Sequence, residues 1–430
     1  MRRTESATGA LHGRSDAVTA LLDRCRDDGL VVPDYEGYCF ANVPGTVGDV
    51  LGVDVGRSLP TDALAGVETD VSHVVVVVLD SLGWHRFHRD AADHRFLSRL
   101  VDRAPVTPLT SVLPSSTASA VTTAHTGATP AEHGVFGWDV RLPDHDTVVE
   151  AFLHECRDDE GTPPVSSDEL VRASPVYPAF EAAGIESRVV QPAATLHTAY
   201  ADATFRGANQ VAYDGVADGA TVLRERLEAS ASPSYTYFYA GDIDTRSHDY
   251  GTDSAAYHDA LASVTTGLSR ALYDDLDAET AAEALLMVTA DHGQIDLEPG
   301  PAGCIDVLSV EGVADALARG PAGDPVYPWG DHRLLHLAVQ DGKRSRARTA
   351  LAYHGVTVFS REQVHELGLY GSATSPAFDR RCGDLVCTHP DRKLISPANE
   401  KALPKIGMHG GPTAREMLVP FAAARLSKLR

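Results

Sequence analysis

"SHVVVVVLDSLGW" (residues 72–84) places five consecutive valines and a leucine between polar residues, and closes on Asp80. A strand that faced water on one side would alternate apolar and polar positions. An unbroken β-branched run predicts a strand buried on both faces, as in parallel sheets covered by helices. "ESRVVQPA" (186–193), "SYTYFYAGD" (234–242) and "ALLMVTADHG" (284–293) read as further strands. Helical patterns lie between them, the longest at 254–276. This alternation predicts an α/β protein with a doubly wound, mostly parallel central sheet flanked by helices.

The rest of the chain is placed around that sheet. Residues 1–70 read as a helical leader packed on the core, with an amphipathic helix in "SDAVTALLDRCRDDG" (15–29) and a short one in "VPGTVGDVLG" (43–52). Residues 301–399 hold Pro and Gly clusters and short alternating pieces such as "HRLLHLAV" and "GDLVCTH", and read as a smaller α+β insertion or cap. The core is expected over 71–300 and again over 400–430.

Composition narrows the function. The 430 residues include 60 acidic and 37 basic side chains, for a formal charge of −23. Five of the basic residues are lysines. An acidic, lysine-poor surface keeps a protein dispersed where salt screens repulsion, which predicts a cytoplasmic protein of a salt-accumulating halophile. No basic stripe is present to neutralise phosphates, so duplex nucleic acid is not the partner. The six cysteines are scattered, without disulfide or zinc-site spacing. The first residues lack the apolar core of a secretory signal, and "VVVVVL" is too short to span a bilayer. The sequence is silent on oligomeric state.

Four segments carry chemistry-bearing residues near strand ends, where open α/β sheets bind ligands. Asp80 follows the valine run; alone, it would read as a helix N-cap. "GDIDTRSHDYG" (241–251) sets Asp244 and His248 four apart, a spacing that lets a carboxylate and an imidazole converge on one cation, with Asp242 as a competing ligand. "VTADHG" puts Asp291 and His292 after a strand. "GMHGG" flanks His409 with glycines, which allow close backbone approach. A fifth stretch, "STASAVTTAHTGATPAEHG" (116–134), is a helix of small hydroxyl residues and alanine. Its start, near Ser116 or Thr117, would present free N–H groups and a positive dipole end to an alkoxide or phosphate. Its small residues suit close packing beneath a site.

In this order the five motifs resemble the alkaline phosphatase superfamily, and within it the type I phosphodiesterase/nucleotide pyrophosphatase family, from about residue 72 to 418. The resemblance implies an alkaline-phosphatase-like core. It also implies a nucleophile ten residues before the Gly of a Thr-Gly pair; here Thr126-Gly127 selects Thr117, with Ser115 and Ser116 in reserve. It implies two divalent cations. Asp244, His248 and His409 would hold one; Asp80, Asp291, His292 and the Thr117 hydroxyl would hold the other. A nitrogen and oxygen ligand set without thiolates suits Zn²⁺, with Mn²⁺ or Fe as alternatives. The implied activity is hydrolysis of small phosphate esters, phosphodiester or nucleotide pyrophosphate bonds, through a covalent phospho-threonine. His133 is expected to be structural.

Other motifs are set aside. Asp331-His332 follows no buried strand, and His85, His88 and His94 read as a polar helix face. There is no P-loop and no Gly-x-Gly-x-x-Gly after the first strand, and the Cys/Ser-x-Pro-x-Arg signature of sulfatases is absent. Two alternatives stand beside the diesterase reading. One is a phosphomonoesterase, phosphonate hydrolase or phosphomutase of the same superfamily. The other is a non-catalytic metal-binding or regulatory protein on this fold. Arg246, the basic residue inside the second motif, leans towards diesters, because a monoester brings extra negative charge that needs more cations.

Overall fold

A computed structural model of the chain describes residues 16–27, 29–157, 164–196, 198–373, 375–397 and 405–430. The first fifteen residues of the expected leader, and residues 398–404 at the expected return to the core, lie outside them.

The valine run forms strand β1, His73–Leu79, with every residue buried. Six more strands join it: Val106–Thr110 (β2), Glu186–Pro192 (β3), Asn209–Tyr213 (β4), Ser234–Ala240 (β5), Ala284–Thr289 (β6) and Leu418–Arg425 (β7). Their order across the sheet is β2-β7-β6-β1-β5-β3-β4. β1 is central and pairs in parallel with both neighbours, His73 lying opposite Ser234 of β5 and Ala284 of β6. β3 and β4 continue the parallel run. β7 runs antiparallel to both β6 and β2. The result is a mixed α/β architecture with a large central sheet flanked by helices. The unbroken apolar run of β1 follows from this position: it has a strand on each edge and no face left for water.

A second seven-stranded sheet is antiparallel throughout. Thr357–Ser360, Leu385–Thr388, Leu334–Leu337 and Trp329–Asp331 come from the stretch expected as an insertion. Gly330 then pairs with Asp139 and extends the sheet into Asp139–Leu142, Thr147–Glu150 and Glu155–Cys156. Those last three strands lie within the stretch expected to be core, so the second sheet draws on both.

One smaller feature differs from expectation in detail. The helix expected at 254–276 is α-helical over Ala255–Leu268 and then widens to a π-helical segment, Ser269–Asp275. The six cysteines form no disulfide. Among the described residues no helix is long and apolar enough to cross a membrane.

Candidate active site

The hydroxyl-rich stretch forms helix α1, Thr117–Thr126. Nine of its ten residues are buried; the exception is Thr117, at its first turn. A helix sunk in the protein must satisfy its polar side chains internally, and the hydroxyls of α1 are so satisfied. Thr122 Oγ1 meets the Ala118 carbonyl and Tyr200 OH, each at 2.7 Å, and Ser119 Oγ donates to the Val135 carbonyl. His133 Nε2 lies 3.1 Å from Thr123 Oγ1, and its Nδ1 accepts from the Val135 N–H. His133 is thus buried against the far side of α1.

The three candidate hydroxyls differ in surroundings. Ser115 Oγ donates to the Gly411 carbonyl at 2.6 Å. Ser116 is buried and N-caps α1 without a side-chain capping bond. Thr117 lines a cavity of about 490 Å³, and its Oγ1 donates to His292 Nε2 at 3.1 Å.

Five elements converge on this point. Asp80 is the residue after β1, and Asp291-His292 follow β6 by one residue. Asp244 and His248 sit on helix α2, Asp242–Tyr250, which leaves β5. His409 stands in the glycine loop before β7. Gly410, at φ 115, brings its backbone against the Asp331 side chain, a turn and a closeness that a side chain would obstruct.

The imidazole tautomers follow from their outer bonds. His248 Nδ1–H donates to the Gly407 carbonyl at 2.6 Å, His409 Nδ1–H to Ser115 O at 3.2 Å, and His292 Nδ1–H to Gly293 O at 3.0 Å. Each ring therefore turns its Nε2 inward, the atom a cation would take once any proton on it is displaced, as metal-ligating histidines do. His248 Nε2 and His409 Nε2 face each other at 3.2 Å, and Asp244 Oδ2 lies 3.2 Å from His248 Nε2. His292 Nε2 lies 3.5 Å from both Asp80 Oδ1 and Asp291 Oδ2. Those two buried oxygens have no hydrogen-bond partner. Lone pairs facing one another and orphaned carboxylate oxygens are what cations resolve.

Burial shapes the charges. It raises the Asp80 carboxyl well above its ordinary range, aided by Asp291 and Asp244, and pushes Asp291 up to about 6. Burial also works against the Asp244 carboxylate, but His248 beside it outweighs that and holds it below the usual range. His292 is pushed down to about 4 and His409 to about 3 by desolvation.

Two groups of potential ligand atoms lie within 4.8 Å of one another: Asp244, His292 and His409, and Asp80, Asp291 and His292. His292 belongs to both, and its ring stacks on His409 at 3.8 Å. The expected partition gave His292 to one cation only and put His248 in its place beside Asp244 and His409; His248 borders that group through the contacts above. Asp242, the competing ligand, is exposed on the first turn of α2 and stands in neither group. Asp331 accepts the Trp138 N–H at 3.2 Å, and His85 and His88 are exposed.

Some neighbours were not anticipated. Tyr239 OH donates to Asp80 Oδ2, and Gln294 Nε2 donates to Asp244 Oδ1 at 3.2 Å. Tyr239 could have been found, because period two puts Tyr235, Tyr237 and Tyr239 on one face of β5. Trp138 and Phe152, which stack with ring centroids 5.7 Å apart on the cavity wall, carry no local motif.

The family model of type I phosphodiesterase/nucleotide pyrophosphatase matches residues 74–412. No curated protein matches the sequence. Among solved structures, murine ectonucleotide pyrophosphatase/phosphodiesterase 5 is similar with a TM-score of 0.62 at 18% identity, covering 82% of this chain and 87% of that one. The human ectonucleotide pyrophosphatase/phosphodiesterase 5 also reaches 0.62, at 16% identity and the same coverage of 82% and 87%. Phosphonoacetate hydrolase from Sinorhizobium meliloti 1021, with phosphonoformate, reaches 0.59 at 20% identity, covering 83% of this chain and 93% of that one. The matched span contains Asp80, Thr117, Asp244, His248, Asp291, His292 and His409, and the chain belongs to the type I phosphodiesterase/nucleotide pyrophosphatase family of hydrolases.

Proposed function

We propose that this protein hydrolyses phosphodiester or nucleotide pyrophosphate bonds through a covalent intermediate on Thr117. The observation that carries the reading is the convergence of inward-facing lone pairs and orphaned carboxylate oxygens on the one hydroxyl of α1 that reaches the cavity. Asp80, Asp291 and His292 would hold one divalent cation, and Asp244, His248 and His409 the other, with His292 close to both. Zn²⁺ suits these ligands, with Mn²⁺ or Fe as alternatives. Two such ions supply Lewis acidity for an in-line displacement at phosphorus.

The chain's own residues do the rest. Thr117 Oγ1 attacks phosphorus, and the bond to the leaving oxygen breaks. The Thr117 proton is released to solvent as the hydroxyl becomes the nucleophile, because His292 Nε2, 3.1 Å away, would be held by the cation. The N-terminus of α1 stabilises negative charge beside it. Water then hydrolyses the phospho-threonine and restores the hydroxyl. Trp138, Phe152, Leu153 and Val121 give the cavity an apolar wall suited to the organic part of a substrate. Arg246 is the basic side chain among its described lining, which favours a singly charged diester over a monoester. The murine relative has been solved as an inactive threonine-to-alanine variant in complex with AMP, which supports a nucleotide substrate.

Phosphonate hydrolysis is the second reading, favoured by the likeness to phosphonoacetate hydrolase. One assay series separates the two. Purified protein is given bis-p-nitrophenyl phosphate, p-nitrophenyl phosphate or phosphonoacetate, with Zn²⁺, Mn²⁺ or EDTA, as wild type and Thr117→Ala. Metal-dependent diester turnover that vanishes in Thr117→Ala supports the proposal. Phosphonoacetate cleavage without diester turnover supports the second reading. Full activity in Thr117→Ala sinks the phospho-threonine.

A further inference from the structure

Arg86 is buried, and among the described residues it makes no ion pair. Its guanidinium instead reaches into the backs of two segments that carry the site. Nη2 donates to the Ser81 carbonyl, next to Asp80, and Nη1 donates to Ser247 Oγ at 2.9 Å, next to His248. Its flat face lies 5.0 Å from the Tyr257 ring, whose hydroxyl donates to Asp90 at 2.5 Å.

Ser81 is the unusual partner. Its φ of 62° is in the left-handed region, which residues with side chains rarely adopt. Its own buried hydroxyl has no partner, so it does not hold the turn. The turn aims the Ser81 N–H at Asp291 Oδ1, 3.1 Å away. One disfavoured residue thus links Asp80 to Asp291, and the guanidinium grips its carbonyl. A buried cation with no carboxylate in direct contact is costly for the fold; this one is compensated at longer range by Asp244 and Asp296, and it bonds to a segment of each ligand group.

We propose that Arg86 is a positioning residue. It holds Ser81 in the left-handed conformation and ties that turn to α2, so that the Asp80–Asp291 side and the Asp244–His248 side keep a fixed separation. The proposal rests on the two-cation reading of the site.

The test uses the full chain, stripped of metal and titrated with Mn²⁺ alone, followed by calorimetry and electron paramagnetic resonance. Wild type is expected to bind two ions and show the spectrum of a close, spin-coupled pair. Arg86→Met is expected to bind one of them about tenfold more weakly and to lose the coupling. Adding Ser81→Gly to Arg86→Met should restore most of both, because glycine takes positive φ without strain. Wild-type affinity and coupling in folded Arg86→Met overturn the proposal, and so does a defect that Ser81→Gly leaves untouched. Should Arg86→Met not fold, Ser247→Ala, which deletes one hydroxyl, is read instead: weaker binding at one site supports the proposal and unchanged binding overturns it. A wild type that binds no Mn²⁺ overturns the two-cation reading itself, and the proposal falls with it.

Discussion

Arg333 and Glu416 face each other as a two-pronged ion pair with both side chains fully buried, Nε to Oε1 at 3.0 Å and Nη2 to Oε2 at 2.9 Å. Arg333 stands in the second sheet, between Trp329–Asp331 and Leu334–Leu337. Glu416 precedes β7 and also accepts the Gly411 N–H at 2.9 Å and the Thr413 hydroxyl at 2.6 Å. The pair therefore clamps the second sheet to the loop that presents His409. Removing one member leaves the other charge buried and alone, which costs about 3–5 kcal/mol. Arg333→Met should lower stability by that amount in urea unfolding and weaken metal binding through His409. A loss below about 1 kcal/mol would show that the clamp is solvated in solution.

Thr117→Ala should reduce turnover by at least about 10³-fold, because it removes the attacking atom. Thr117→Ser keeps a hydroxyl in the same place and should retain activity within about tenfold. Trapping with a slow diester and mass analysis of the peptide carrying residue 117 should find a phosphoryl adduct in wild type. An adduct on Ser115 or Ser116 would move the nucleophile.

Metal should stabilise the fold markedly. Its binding removes the opposition of Asp80, Asp291 and Asp244, and an ion at 100 times its dissociation constant adds about 2.7 kcal/mol. In EDTA, Asp80→Asn should melt higher than wild type, since one of the crowded carboxylates is then neutral. With Zn²⁺ or Mn²⁺ the order should reverse. Equal melting temperatures for wild type with and without metal would contradict this account.

Acid should unfold the protein through its buried neutral histidines. His125, His133 and His336 are pushed down to about 3 by burial, from an ordinary 6.5. Below pH 6.5 the unfolded chain takes up protons that the folded chain refuses. Stability contributed by each is therefore full above pH 6.5 and is lost between 6.5 and 3, at about 1.4 kcal/mol per pH unit. His125 packs its ring 4.5 Å from Phe205 and from Tyr237, so His125→Phe keeps an aromatic ring there, although it leaves the buried Tyr177 hydroxyl, 2.5 Å from His125 Nδ1, without that partner and lowers stability at every pH. That variant should show a shallower fall in urea midpoint between pH 7 and 5, by one proton's worth. An identical slope would mean that His125 does not titrate on unfolding.

What could be read from sequence was what depends on local pattern. β1 announced itself because a strand covered on both faces must be apolar throughout. α1 did so because a buried helix beside a site needs small residues whose hydroxyls bond back to their own turn. Asp80, Asp244, Asp291 and His292 each follow a strand closely or open the helix after it, so their positions followed from the strands, and His248, in the last turn of α2, followed from its four-residue spacing to Asp244. Long-range pairing was not legible. Nothing in "DVRL" (139–142) says that it shares a sheet with residue 330, and so Trp138 and Phe152 on the cavity wall were missed. Arg86 was passed over because its neighbours His85 and His88 do face solvent, and the burial of one residue in such a helix depends on what packs against it. The expected division of ligands could not anticipate that the His292 ring stacks on His409 and lies within reach of both groups.

β7 follows the six other strands of its sheet in sequence, yet it lies inside the sheet, between β2 and β6. Until it inserts, β2 has no hydrogen-bonded neighbour in the sheet, and α1, which β2 launches, has no fixed place relative to β6. Assembly of Thr117, the proposed nucleophile, against His292 is thus a late, non-local folding event, of the kind that topology makes slow. A chain caught before that insertion can hold most of its core and still be chemically silent, so recovery of activity should lag recovery of helical signal during refolding.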